Sequence, residues 1–173
     1  MDAKKVMQAA LAIQPEIQAN RRELHRHPEL GLDMAFTKPF VKAKLEEMGY
    51  EPQDCGKGGL VVLAGGKKPG KCFLIRGDMD ALPVEEQTNV EFRSQNPGKM
   101  HACGHDNHMA MLLGAAKILN EVKDELSGDV RLVFQPAEET AVGALRMMEE
   151  HALDGVDAIY GVHVWGTYDA PGI

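Results

Sequence analysis

Cys103-Gly104-His105 offers a thiolate and an imidazole two residues apart, and the glycine between them lets the backbone turn both toward one ion. Alone, such a pair reads more readily as a buried cysteine beside a helix-capping histidine. Its neighbours change the balance. His101, His105, Asp106 and His108 fall within eight residues, and a packed core has little use for so many polar rings and carboxylates. His101 and His105 are four apart, as on a helical zinc site, but Gly104 interrupts any helix there, so a metal-binding loop is the better reading. Further along, Gln135-Pro136-Ala137-Glu138-Glu139 places two adjacent carboxylates at the expected start of a helix, where the dipole favours negative charge. A solvated helix end is the plain alternative. In the chemical reading the two side chains diverge, so one can bind a metal while the other takes a proton from water. His163 lies in the apolar run Ile159 to Trp165, where a satisfied core histidine is the usual outcome. Only its company makes it a ligand candidate.

Groups so far apart in the chain act together only if the fold assembles them. Val6, Ala9, Ala10, Ile13 and Ile17 recur at helical spacing, which predicts an opening amphipathic helix that stops before Pro28. A second helix is expected from Thr37 to Met48, with Gly49 as its terminator. Leu60 to Ala64 and Cys72 to Ile75 read as buried strands joined by the turn-rich run from Gly65 to Lys71. Next come a helix from His108 to Leu119, a strand from Val130 to Phe134, a helix from Glu139 to Glu150 and a strand from Ala158 to Val164. The alternation predicts an α/β fold with a largely parallel sheet flanked by helices. On that fold Asp78 and Asp80 follow one strand, Glu138 and Glu139 follow another, and His163 ends the last. Ligands of open α/β sheets bind beyond the carboxyl ends of the strands, so these groups converge.

The bulk properties narrow the function. A length of 173 residues with 44% hydrophobic content suits one domain with a core. Nineteen Lys and Arg against 26 Asp and Glu leave a formal charge of −7, which opposes binding to nucleic acid. No run of 18 apolar residues marks a membrane span, and three cysteines form no disulfide framework, so a cytoplasmic protein is expected. Two other chemistries are set aside. Gly65 to Lys71 has the glycine and lysine spacing of a phosphate-binding loop, but Cys72 stands where Ser or Thr is required and a strand follows. A nucleophilic Cys103 would need a base better placed than a residue two positions away.

Taken together, Met100-His101-Ala102-Cys103-Gly104-His105-Asp106 with His108, Gln135-Pro136-Ala137-Glu138-Glu139 and Gly161-Val162-His163-Val164 resemble the aminoacylase, hippurate hydrolase and indole-acetyl-amino-acid hydrolase family of metal-dependent amidohydrolases. Arg21 to Leu30 and Asp78-Met79-Asp80-Ala81-Leu82-Pro83 match two earlier motifs of that family. The resemblance implies that Cys103, His105, Glu139 and His163 are metal ligands, with Cys103 bridging two ions, and that Glu138 is the general base. It places Asp78 and Asp80 behind the ligands, where carboxylates orient histidines. His25 and His27 are given no metal, only helix-end packing.

The implied reaction is hydrolysis of an N-acyl amino acid or related amide by metal-activated water, with two Zn²⁺, Mn²⁺, Co²⁺ or Ni²⁺ ions per site in the family. Met34, Thr140 and His151 depart from the family pattern without touching a proposed ligand. The ending at Ile173 leads to the expectation of an incomplete catalytic domain over 1–173, without the family's C-terminal part, its lid and dimerisation domain, or its fifth ligand, a histidine. From that follow three expectations: at most one tightly held ion, a homo-oligomer, and, as the rival reading, a truncated homologue with weak or no activity.

Overall fold

The computed structural model describes residues 2–65 and 67–166. In chain order the elements are α1 (Ala3–Ala12), α2 (Gln14–Arg26), α3 (Thr37–Glu47), β1 (Gln53–Cys55), β2 (Gly59–Gly65), β3 (Cys72–Asp78), α4 (His105–Val122), β4 (Asp129–Gln135), α5 (Val142–Glu149) and β5 (Ala158–Gly161). Gly66, which follows β2 in the chain, lies outside the described residues.

The opening helix is in fact two. Pro15, at the start of α2, lacks the N–H needed to continue the ladder from α1, so the chain breaks at Ile13. Apolar spacing runs across the break because both helices pack against α4. β1, three residues long, carries too little pattern to be seen in the sequence.

The five strands form one sheet in the order β1-β2-β4-β3-β5. The fold is α/β, and the sheet is mixed: β3 pairs in parallel with β4 and β5, whereas β1 with β2 and β2 with β4 are antiparallel. Chain length explains the difference. The short link after β2 reverses the chain, while α4 is long enough to carry it back for a parallel crossover into β4. β4 thus lies between β2 and β3, and its side chains alternate between two cores. Leu132 and Phe134 face the side packed by α2, α3 and α4 with Leu24, Leu45 and Met109, and Val133 faces Met147 of α5. Parallel pairing in the β4-β3-β5 half brings three carboxyl ends to one edge, where the polar residues sit.

β5 is one of the two edge strands, and it leaves Ile159 and Tyr160 more than half exposed, with Val162 just beyond it at 49%. Among the described residues no helix is long and apolar enough to cross a membrane. Cys55, Cys72 and Cys103 are all free thiols.

The helix expected from Glu139 begins later, at Val142. Ala137 and Ala141 adopt left-handed backbone (φ 50° and 57°), and the chain coils into a tight turn closed by a bond from the Gly143 N–H to the Ala137 carbonyl at 3.2 Å. A Cβ on Gly143 would lie 1.6 Å from the Pro136 carbonyl oxygen, closer than any relaxation of side chains can absorb. Gly143→Ala is therefore expected to destabilise the chain by about 3 kcal/mol, measured by urea denaturation. An unchanged midpoint would show that the turn is not built this way.

Candidate metal centre

The site begins with Asp80, two residues past β3. Its carboxylate accepts the Glu138 N–H at 2.8 Å and the Glu139 N–H at 3.2 Å, one on each oxygen. The two glutamates therefore do not sit on a helix dipole. Their turn is held by a buried anion, and left-handed backbone at Ala137 and Ala141 is part of that turn. The same carboxylate lies 3.6 Å from His105 Nδ1.

His105 is the first residue of α4, and its ring is fully buried. Gly104 before it has φ +96°, and a Cβ there would strike Val164 at 2.5 Å, so only glycine lets the Cys103–His105 loop turn against the end of the β5 segment. His101 stays outside the helix, which agrees with a loop in place of a helical four-residue spacing. Nε2 of His105 faces Asp78 (3.7 Å), Glu138 (3.9 Å) and Glu139 (3.7 Å). These separations are too long for hydrogen bonds but match donor atoms that share an ion at roughly 2.0–2.3 Å. Both ring nitrogens are buried with no hydrogen-bond partner, a costly arrangement that a cation at Nε2 relieves.

Cys103 and His163 complete a second arc. Cys103 Sγ is 3.4 Å from His163 Nε2, and His163 Nδ1 donates to the Val164 carbonyl at 2.6 Å, which leaves the Nε2 lone pair facing the thiol. His163 lies two residues past β5 and is exposed, so it is no core histidine. Burial first, then the hydrogen bond and charge of Glu139, push the Cys103 thiol up to about 11. A thiol held neutral is a poor nucleophile, whereas a metal would displace its proton. Burial lowers the His105 pKa, but Asp80, Asp78 and Glu139 outweigh it and raise the net value. Four carboxylates around one imidazole make a setting that attracts a cation. The donor sets Cys103–His105–His163 and His105–Glu138–Glu139 each lie within 4.8 Å and fit a divalent metal with nitrogen, sulfur and oxygen ligands.

A third cluster, Asp78–His105–His108, is not a ligand set in this arrangement. His108 Nδ1 bonds Asp78, and its Nε2 accepts the Val164 N–H at 3.0 Å, so neither nitrogen is free. His108 instead ties the end of β3 to the segment that carries His163. Asp78 also meets Arg76 at 2.7 Å, and its pKa is lowered: burial works against this, but the His108 hydrogen bond and the charges of His105 and Arg76 prevail. Asp78 and Asp80 both stand behind the donors. Sequence reasoning missed the parts played by Arg76 and His108; the one available signal was a charged residue inside an apolar strand. His101 is buried with both nitrogens unpartnered and its pKa pushed down to about 4, chiefly by burial, and it joins none of the donor sets.

His27 stacks on Phe36 with ring centroids 3.9 Å apart, packing at the end of α2. His25 does something else. Its two nitrogens face Asp106 and Glu86, both buried.

Comparison with known proteins agrees with this architecture. The model of Peptidase family M20/M25/M40 matches residues 74–173. The N-acyl-L-amino acid amidohydrolase of Geobacillus stearothermophilus is 41% identical over 171 residues, covering 98% of this chain and 46% of that protein. A putative aminohydrolase from methicillin-resistant Staphylococcus aureus superposes with a TM-score of 0.92 at 40% identity, covering 96% of this chain and 45% of the other. The Bacillus subtilis YXEP protein, a dinuclear metal-binding peptidase of the M20 family, gives 0.86 at 44% identity, covering 89% and 44%. The chain thus spans less than half the length of the relatives it matches. Sequence, fold and family model coincide over more than half of its residues: the chain belongs to Peptidase family M20/M25/M40.

Proposed function

We propose that this chain forms the metal-binding and general-base part of an amidohydrolase that cleaves the amide bond of N-acyl amino acids. The observation that carries the reading is the buried, unpartnered His105 ring facing Cys103, His163 and two glutamates at the carboxyl ends of β3, β4 and β5. The substrate class is supported by the 41% identity to an N-acyl-L-amino acid amidohydrolase.

In this reading Cys103, His105 and His163 hold one divalent ion, and Glu139, beside Cys103, serves a second. A bound divalent ion supplies Lewis acidity, acidifying water and polarising the amide carbonyl. Glu138 takes the proton from the attacking water and passes it to the leaving nitrogen as the C–N bond breaks, so that a carboxylate and a free amino acid result. Asp80 serves both roles at once, orienting the His105 ring and fixing the backbone from which Glu138 projects. Sulfur and imidazole donors favour Zn²⁺, Mn²⁺, Co²⁺ or Ni²⁺ over Mg²⁺ or Ca²⁺. The three free thiols support a reducing, cytoplasmic setting. The exposed apolar edge at Ile159, Tyr160 and Val162 supports association of like chains.

Two measurements test this reading. Glu138→Gln should abolish any amide hydrolysis and leave metal content unchanged. Loss of metal with that substitution would exchange the roles of Glu138 and Glu139. Sedimentation at micromolar concentration should show a homo-oligomer, and a stable monomer would contradict the assignment of the β5 edge.

A further inference from the structure

His25 sits on the last turn of α2, 3% exposed, and closes a network that none of the chemistry above uses. Nδ1 lies 2.8 Å from Asp106 Oδ2 and Nε2 lies 3.2 Å from Glu86 Oε1. Arg21 Nε stands 2.8 Å from the same Asp106 oxygen. Asp106 is the second residue of α4, adjacent in the chain to His105 and fully buried. Glu86 anchors the 86–94 loop by accepting the Ser94 N–H at 2.6 Å and the Thr88 hydroxyl. His25 thus connects three segments: α2, the first turn of α4 and the loop that follows the Asp80 motif.

We propose that His25 is a positioning residue for the metal centre: gripped between Asp106 and Glu86, it fixes the first turn of α4 and so aims the His105 ring and the Cys103 thiol. This rests on the reading of Cys103, His105 and His163 as ligands. Two carboxylates offer only acceptors, so both ring nitrogens of His25 must donate and the ring is an imidazolium. Burial opposes that charge, but the hydrogen bonds to Asp106 and Glu86 and the charge of Asp106 raise the His25 pKa. With Arg21, two cations then balance two buried carboxylates, and removing one cation leaves Asp106 incompletely held one residue from a ligand. Gly104 provides no side-chain cap to that turn, so Asp106 on the α2 side and His108 on the β3 side hold it in place. His27, two residues on, stacks on Phe36 and touches none of these groups, which makes it the internal control.

The test is a Co²⁺ titration of the 173-residue chain and of His25→Gln and His27→Gln, followed by the thiolate-to-cobalt charge-transfer band and the d–d bands. His25→Gln should raise the dissociation constant by about tenfold or more and alter the d–d bands, as loss of a group that orients a ligand does. His27→Gln should remain within about twofold of the parent, with the parent's spectrum. Equal affinity and an unchanged spectrum for His25→Gln would overturn the proposal, as would an equal shift for His27→Gln. A parent chain that binds no Co²⁺ would overturn the ligand reading and this proposal together, whereas normal binding by both parent and His25→Gln would overturn this proposal alone. If His25→Gln does not fold, ¹⁵N spectra of the parent decide: protonation of both His25 nitrogens at neutral pH supports the proposal, and a neutral ring rejects it.

Discussion

The Asp80 carboxylate is 1% exposed and accepts two backbone N–H groups, from Glu138 and Glu139, while it faces the buried ring of His105. Those contacts join the segment after β3, the turn after β4 and the start of α4. Without them the glutamates would be two surface carboxylates on a loop and the imidazole would have no fixed direction. Moving Asp80 also bears on the fold, because the turn it holds contains two alanines in left-handed backbone, each costing roughly 1–2 kcal/mol. The buried anion and its two charge-assisted hydrogen bonds supply a term of the sign and size needed to hold that conformation. Structure and site therefore share one anchor.

The electrostatics follow from the same crowding. Asp78, Asp80, Glu138 and Glu139 surround His105, and Arg76 offsets only part of their charge through its contact with Asp78. Such an excess raises the His105 pKa against its burial, and burial together with the same carboxylates keeps the Cys103 thiol protonated; a divalent cation would reverse both. His108 and His163 illustrate how hydrogen bonds divide similar side chains into different roles. His108 has partners at both nitrogens and braces the fold, whereas His163 has a partner at Nδ1 and presents Nε2 to the thiol.

Much of this was legible in the sequence because polar residues interrupt apolar runs. Asp78, Cys103, His105, Glu138, Glu139 and His163 stood out at the ends of predicted strands and helices, and they lie together at one edge of the sheet. What could not be read is what depends on distant pairing or on unmarked backbone. His25 and Asp106 are 81 positions apart, and no local pattern links them. The late start of α5 depends on positive φ at Ala137 and Ala141, residue types that give no sign of it. Pro15 did mark the break between α1 and α2, yet the apolar spacing continued through it because α1 and α2 both pack against α4. Mixed strand direction needed knowledge that β4 inserts between β2 and β3.

In the proposed centre His105, Cys103 and His163 share one divalent ion while Glu138 remains free of it. Anomalous diffraction at the cobalt edge from crystals of the chain grown with Co²⁺ tests it most directly. A peak is expected within bonding distance of Cys103 Sγ, His105 Nε2 and His163 Nε2, at about 2.0–2.3 Å. A cobalt bound elsewhere, with the His105 ring still without a partner, would contradict it.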